Sequence, residues 1–202
     1  MELYGLTGGS GAGKSAAAGL FAAHGFGWVD ADAVYRGLCV PGSPLLAALC
    51  DAFGDVLTPA GALDRPKLAQ IVFADRAQLA KLNAVTNPRI WEASRAACEA
   101  LAAQGTTRIL YDAPTLLQAG FDRHCTAVIG VIAPRNIRLT RIMARDGISA
   151  QAAAARIDAQ PADAFYRARC QYILENTDGL SALREKVDAL VRLLDEAHEP
   201  TI

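Results

Sequence analysis

The chain holds 202 residues, 52% hydrophobic and 20% charged, enough apolar material for a sizeable core in one domain with room for a small subdomain. Twenty basic against 21 acidic residues give a net charge of −1, which excludes a generic polybasic binder of nucleic acid or membrane. The basic side is 16 Arg and only 4 Lys, and the planar guanidinium fork suits bidentate capture of phosphate or carboxylate.

In chain order, Leu3 to Thr7 reads as a short buried strand running into glycines. Ala16 to His24 reads as a helix closed by Gly25, and Gly27 to Asp30 as a second strand. Pro44 to Phe53 forms a helix ended by Gly54. From Leu63 to Gln104 the pattern is almost wholly helical, with interruptions expected at Pro66 and at Asn87-Pro88. Arg108 to Asp112, Ala127 to Ala133 and Gln171 to Glu175 read as strands three, four and five. Helices are expected at Pro134 to Arg145 and Ala150 to Ala159, and a last one carries Leu183, Val187, Leu190, Val191 and Leu194 on one stripe. Strands alternating with helices imply a parallel sheet covered on both faces. The 41 alanines agree with a helix-rich fold.

Five cysteines (Cys39, Cys50, Cys98, Cys125, Cys170) form no C-x-x-C pair, and the number is odd. This argues against a disulfide framework and for a reducing, cytoplasmic setting. His24, His124 and His198 are scattered, so no protein-held zinc is expected. The N-terminus has no basic segment leading into an apolar run, and no stretch approaches the length of a membrane span. Neither a signal peptide nor a transmembrane helix is expected.

Gly8-Gly9-Ser10-Gly11-Ala12-Gly13-Lys14-Ser15 matches G-x-x-x-x-G-K-[ST], placed between a strand and a helix as that phosphate loop requires. Glycines let backbone N–H groups turn inward around phosphate oxygens, and the following helix adds its positive end. Lys14 is expected on the β- and γ-phosphates of a nucleoside triphosphate, and Ser15 is expected to offer a hydroxyl to Mg²⁺. The second strand ends in Asp30-Ala31-Asp32. On extended backbone, residues two apart share a face, so both carboxylates are expected in the site, as a base or a magnesium partner. A pair of loop or cap aspartates is the alternative.

Glu175-Asn176-Thr177-Asp178 lacks the Lys of a guanine-reading N-K-x-D segment, which argues against a GTPase. The length suits a small-molecule kinase with an acceptor insert and a lid. Arg135, Arg138, Arg141 and Arg145 recur at helical spacing beside an apolar stripe of Leu139, Ile142 and Met143. Arginines closing over a γ-phosphate would offset charge developing in transfer, whereas a lone run of this kind is as well read as a solvated basic face. From Gly120 to Cys170 eight Arg stand against four Asp, a local balance of +4.

Taken together, these residues resemble the dephospho-CoA kinase family, over nearly the whole chain from Leu6 to about Leu194. The carriers are the phosphate loop, Val29-Asp30-Ala31-Asp32, the stretch Gly61-Ala62-Leu63-Asp64-Arg65 with Leu68 and Ile71-Val72-Phe73, and Asp112-Ala113-Pro114. Arg141, Arg145-Asp146-Gly147, Arg156-Ile157, Gln160 and Asn176 continue the match. The resemblance implies an α/β, three-layer phosphate-loop kinase fold: a five-stranded parallel sheet with helices on both faces, a helical acceptor insert at 60–104 and a lid at 134–160. The nucleotide core would comprise 1–35, 105–134 and 160–202.

It also implies transfer of the ATP γ-phosphate to the ribose 3′-hydroxyl of dephospho-CoA, with Mg²⁺. Asp32, Lys14 and Arg141 would be catalytic. Gly8 to Ser15, Ala16, Arg138, Arg145 and Asn176 would bind ATP, and Ser15 the Mg²⁺, partly through water. Thr7, Asp32, Arg65, Asn87 and Asp112 would hold the acceptor. The partners implied are ATP and dephospho-CoA, with neither nucleic acid nor membrane, in a monomer or small homo-oligomer. Four positions depart from the family pattern: Ala16 for Thr, Asn87 for His, Gln118 for Glu and Arg138 for Gln. Another phosphate-loop kinase, or an ATP-binding module weakened in catalysis, is the alternative.

Overall fold

The computed structural model describes residues 1–73 and 75–196. Ala74, inside the expected insert, and residues 197–202 of the expected core, His198 among them, lie outside the described residues.

Five strands form one sheet: β1 (Glu2–Gly8), β2 (Gly27–Asp30), β3 (Arg108–Asp112), β4 (Ala127–Ile132) and β5 (Tyr172–Glu175), in the order β2-β3-β1-β4-β5. β1 is central and pairs in parallel with β3 and β4, and β4 pairs in parallel with β5. This is the parallel arrangement expected from alternating strands and helices. The helices are α1 (Lys14–Ala23), α2 (Ala31–Leu38), α3 (Pro44–Phe53), α4 (Arg65–Phe73), α5 (Arg76–Ala103), α6 (Arg135–Asp146), α7 (Ala150–Asp158), α8 (Asp163–Arg169) and α9 (Gly179–Glu196).

The chain divides into two compact units. One contains Met1–Trp28 and the chain from Leu101 onward; the other is Val29–Ala100. In the first, Tyr4 and Leu6 of β1, Leu110, Ile129, Val131 and Leu174 point to one face and meet Ala17, Leu20 and Phe21 of α1 and the apolar stripe of α9. Period-two alternation from the strands thus faces period-3.6 stripes from the helices. Burying each Leu, Ile or Phe of this layer contributes about 1.5–3 kcal/mol. On the opposite face, Leu116 and Cys125 lie against Gly5, and Cys170 against Gly130. That face is closed by the segment after β3 and by α8.

The second unit has its own core. Leu45, Leu46 and Leu49 of α3 pack with Val56, Leu68 and Val72, joined by half-buried Tyr35, Leu82 and Val85. Ser43 caps α3 by accepting from the Leu46 N–H at 3.2 Å, with Pro44 at the first turn, so the sequence places this helix to the residue. The two expected interruptions of the 63–104 block are corrected. Pro66 sits in the first turn of α4, where a missing N–H costs no hydrogen bond. Pro88 lies inside an unbroken α5. Beside it, the Thr86 hydroxyl donates to the Leu82 carbonyl at 2.9 Å and Arg89 to the Val85 carbonyl at 2.7 Å, so side chains satisfy carbonyls around the disturbed turn.

Candidate active site

The phosphate loop runs from the end of β1 to the start of α1. Its turn is closed by the Ala12 N–H donating to the Gly9 carbonyl at 3.1 Å. Gly13 caps α1 at φ 100°, ψ 24°, a conformation L side chains avoid. A Cβ there would also lie 2.0 Å from Asn176 Nδ2. That amide is buried and donates to the Ala12 carbonyl at 2.8 Å. Asn176 follows β5, anchored by its own N–H on Ile132 O at 2.9 Å. The Asn176 residue expected at the nucleotide thus braces the loop from one side.

Lys14 opens α1 and donates its ammonium to Asp112 Oδ1, with the side chains only 15% and 3% exposed. Asp112 ends β3 in register with Leu6 of β1, so parallel pairing delivers this carboxylate beside the loop lysine. Ser15 and Ala16 are exposed on the first turn of α1, which carries no acidic residue to neutralise the helix's positive end.

Thr7 does not reach a site opening. It is fully buried in β1 and its hydroxyl donates to the Pro114 carbonyl at 3.2 Å. This bond ties β1 to the segment after β3.

The segment expected as a lid is a small helical pair, α6 and α7. Ile142, Ala153 and Ile157 form its local core, with Leu139, Met143 and Ile148 around them, as the apolar stripe implies. Gly147 ends α6 with its N–H on Met143 O at 3.0 Å, and Ser149 caps α7. The arginine stripe is not uniform. Arg135 donates to both oxygens of Asp158 at 2.9 Å. Arg145 pairs with Asp146 at 2.7 Å, and Arg156 joins the same carboxylate. These two cations hold the Asp146 carboxyl down at about 2, chiefly through hydrogen bonding from Arg145.

Arg138 is buried at 4% exposure, on Ser10 O at 2.9 Å and Gln160 Oε1 at 2.8 Å, with Asp163 3.8 Å away. Packing places this residue, expected at the ATP, beneath the loop. Arg141 alone of the four has no carboxylate partner among the described residues. It touches the Gly11 and Ala12 carbonyls at 3.4 and 3.3 Å and Asn176 Oδ1 at 3.3 Å.

In the second unit, the expected extended Asp30-Ala31-Asp32 is corrected. Asp30 is the N-cap of α2, accepting from the Asp32 and Ala33 N–H groups at 2.8 and 3.2 Å, and Arg36 lies 3.6 Å from its other oxygen. Asp32 is exposed in the first helical turn. Of the two carboxylates, only Asp32 is not engaged as a cap. Arg65 opens α4 with its guanidinium 5.6 Å from the centroid of Tyr35. Burial, aided by a bond with Cys39, pushes the Tyr35 phenol up to about 12. Asn87 lies half-buried within α5.

Magnesium fits the first unit's donors. Ser15 and Asp112 offer the hard oxygen ligands it prefers, and among the described residues no group of three or more His, Cys, Asp or Glu could cage a metal unaided. That pattern suits an ion held mainly by substrate phosphates and water. No helix among the described residues is long and apolar enough to cross a membrane. Gln160, quoted above as part of the family match, has no place among the expected site residues, and its bond to the Ser10 N–H is what reading the sequence missed. Gln160 is one polar residue after a helix, without periodicity to mark it.

A family model described as dephospho-CoA kinase matches residues 3–182. A dephospho-CoA kinase of Anaeromyxobacter dehalogenans is 42% identical over 192 residues, 95% of this chain and 91% of that protein. A crystal structure of a Thermus thermophilus protein superposes with a TM-score of 0.81 at 30% identity, covering 96% of this chain and 97% of that one. A Campylobacter jejuni dephospho-CoA kinase shares the fold at TM-score 0.60 and 22% identity, over 95% and 96% of the two chains.

Proposed function

The chain belongs to the dephospho-CoA kinase family, and on that premise we infer how its residues carry out the family's reaction. It is a phosphotransferase: the γ-phosphoryl of ATP passes to the ribose 3′-hydroxyl of dephospho-CoA, giving coenzyme A and ADP. The hydroxyl oxygen forms a bond to the γ-phosphorus, the bond to the β,γ-bridging oxygen breaks, and the hydroxyl proton passes to a base.

Asp32 is that base. It is an exposed carboxylate just past the end of β2, and ligands of parallel α/β sheets sit beyond such strand ends. Lys14 exchanges Asp112 for the β- and γ-phosphates when ATP enters, and Asn176 and the Gly8–Ser15 backbone keep the loop shaped for them. Arg141 spans the phosphates from the lid. Its lack of a carboxylate partner among the described residues, where Arg135, Arg138, Arg145 and Arg156 each have one, is the observation that carries this reading. An unneutralised guanidinium beside the loop can answer charge that develops in transfer.

Bound Mg²⁺ would neutralise phosphate charge, with Ser15 and water as its protein-side ligands and Asp112 within the same polar cluster. Ala16 and Arg145 stay at the rim of the ATP site. Arg65, Tyr35 and Asn87 in the 29–100 unit hold the acceptor. A reducing cytoplasm is the setting this enzyme would work in.

Incubation with ATP, Mg²⁺ and dephospho-CoA should yield ADP and coenzyme A in equal amounts. No coenzyme A under conditions where ATP binds overturns the reading. Asp32→Ala should lower kcat by about 10²-fold or more, with ATP affinity little changed. Unchanged turnover removes Asp32 from the role of base.

A further inference from the structure

Neither main-chain polar group of Ser10 points into open space. Its N–H donates to Gln160 Oε1 at 2.8 Å, and its carbonyl accepts from Arg138 Nε at 2.9 Å. Arg138 Nη2 donates to the same Gln160 oxygen at 2.8 Å, which closes a ring of three hydrogen bonds around Ser10 and engages the two peptide units that flank it. The guanidinium is 4% exposed, and Asp163, 3.8 Å from Nη1, supplies its counter-charge. The loop rests directly on this group: a Cβ at Gly9 would sit 2.4 Å from Arg138 Nη2. Tyr166 closes the site from α8. Burial pushes its phenol up, and the nearby Arg138 charge partly offsets that.

We propose that Arg138 and Gln160 are positioning residues that fix the two peptide units flanking Ser10 and so pre-aim the N–H groups following it in the loop at the phosphates of ATP. A glycine-rich loop has more conformational freedom to lose on binding a ligand than any other backbone. Holding two of its peptide planes before ATP arrives removes part of that loss from the binding step. The ring also separates two arginines one helical turn apart. Arg141 keeps its charge for the nucleotide, whereas Arg138 works through the Ser10 backbone and touches no phosphate. A planar fork is needed, because Nε and Nη2 must reach a carbonyl and an amide oxygen together. A lysine ammonium of the same charge lacks that geometry. Gln160 follows α7 and Arg138 lies in α6, so both helices of the lid are tied to the loop.

This inference rests on the kinase reading above, and its test separates the two. Gln160→Met keeps the bulk at a half-buried position and removes the acceptor. The expected result is a rise of about tenfold in KM for ATP, the effect of losing a charge-assisted hydrogen bond, with the KM for dephospho-CoA unchanged; the melting temperature falls as well, because the buried Arg138 Nη2 loses its acceptor. Arg138→Lys should show the same rise. Gln160→Glu, which keeps an oxygen facing the guanidinium, should return KM to within about threefold of the parent. The double variant Arg138→Met/Gln160→Met should be no worse than the poorer single one, because both changes break one ring.

An unchanged KM for ATP in Gln160→Met overturns the proposal. So does an Arg138→Lys enzyme that matches the parent, since charge alone would then suffice. A parallel rise in both KM values also overturns it, by reducing the ring to general packing. If the parent chain forms no coenzyme A, the kinase reading fails, and calorimetric titration with Mg-ATP still decides the role of the ring.

Discussion

Replacing Gly13 by Ala perturbs the loop in two ways that can be weighed from the structure. At φ 100° a Cβ costs about 1–2 kcal/mol of backbone strain. The same Cβ would lie 2.0 Å from Asn176 Nδ2, so the amide must leave its 2.8 Å bond to Ala12 O. Asn176 is 5% exposed, and an unpaired buried polar group costs about 1–3 kcal/mol. The sum is about 3 kcal/mol, and at about 2–4 °C per kcal/mol for a domain of this size the melting temperature should fall by about 6–12 °C. The displaced amide also crowds the loop, so ATP affinity should fall as well. Thermal melts and calorimetric titration of Gly13→Ala, Asn176→Ala and the double variant measure both effects. Removing the amide removes the collision, so the double variant should lose less stability than the two single losses added together. A Gly13→Ala protein melting within about 2 °C of the parent, or strictly additive losses, would refute this reasoning.

Two further outcomes follow from the same structure. Hydrogen bonding from Arg145, then from Arg156, holds the Asp146 carboxyl at about 2 against an ordinary 3.8. The folded value lies below the unfolded one, so the pairing stabilises at pH above 3.8 and is lost as pH falls towards 2. Asp146→Asn should therefore melt lower than the parent at pH 7, and melting curves should converge near pH 2; a gap that does not narrow over that interval contradicts the pairing. Pro88 is exposed inside α5, so Pro88→Ala loses little packing and regains a helical N–H. A helix-interior proline costs about 3 kcal/mol against Ala, and about 1 kcal/mol of that is offset by its restriction of the unfolded chain. The melting temperature should rise by about 4–8 °C, and a fall would show that the kinked turn is needed by its surroundings.

Several elements are legible because local chemistry alone fixes them. β2 and β3 run from Gly27 to Asp30 and from Arg108 to Asp112, as their apolar runs and flanking turn residues indicate. α3 is bounded by a Ser cap, a first-turn Pro and a terminal Gly. α2 was illegible because Asp30 and Asp32 suit an extended strand end as well as a helix start, and the cap hydrogen bonds select the helix. α8, from Asp163 to Arg169, is too short for its periodicity to register. Pro88 misleads for the opposite reason: a packed helix tolerates a defect that an isolated one would not.

The sequence by itself determined the phosphate loop, the alternation that builds a parallel sheet, the arginine-rich helix α6 and the family to which they belong. Each is a short-range pattern: fixed glycine spacing, a period of two or of 3.6, a cap followed by an apolar run. The tertiary structure decided what the four lid arginines do. Helical spacing puts Arg135, Arg138, Arg141 and Arg145 on one stripe. Packing then pairs Arg135 with Asp158 and Arg145 with Asp146, buries Arg138 beneath Ser10, and leaves Arg141 beside the loop without a carboxylate partner among the described residues. It likewise brings Lys14 to Asp112 and Gln160 to Ser10, pairs far apart in the chain. Charge partnership and burial depend on which side chains arrive from distant segments, and no local pattern encodes that arrival.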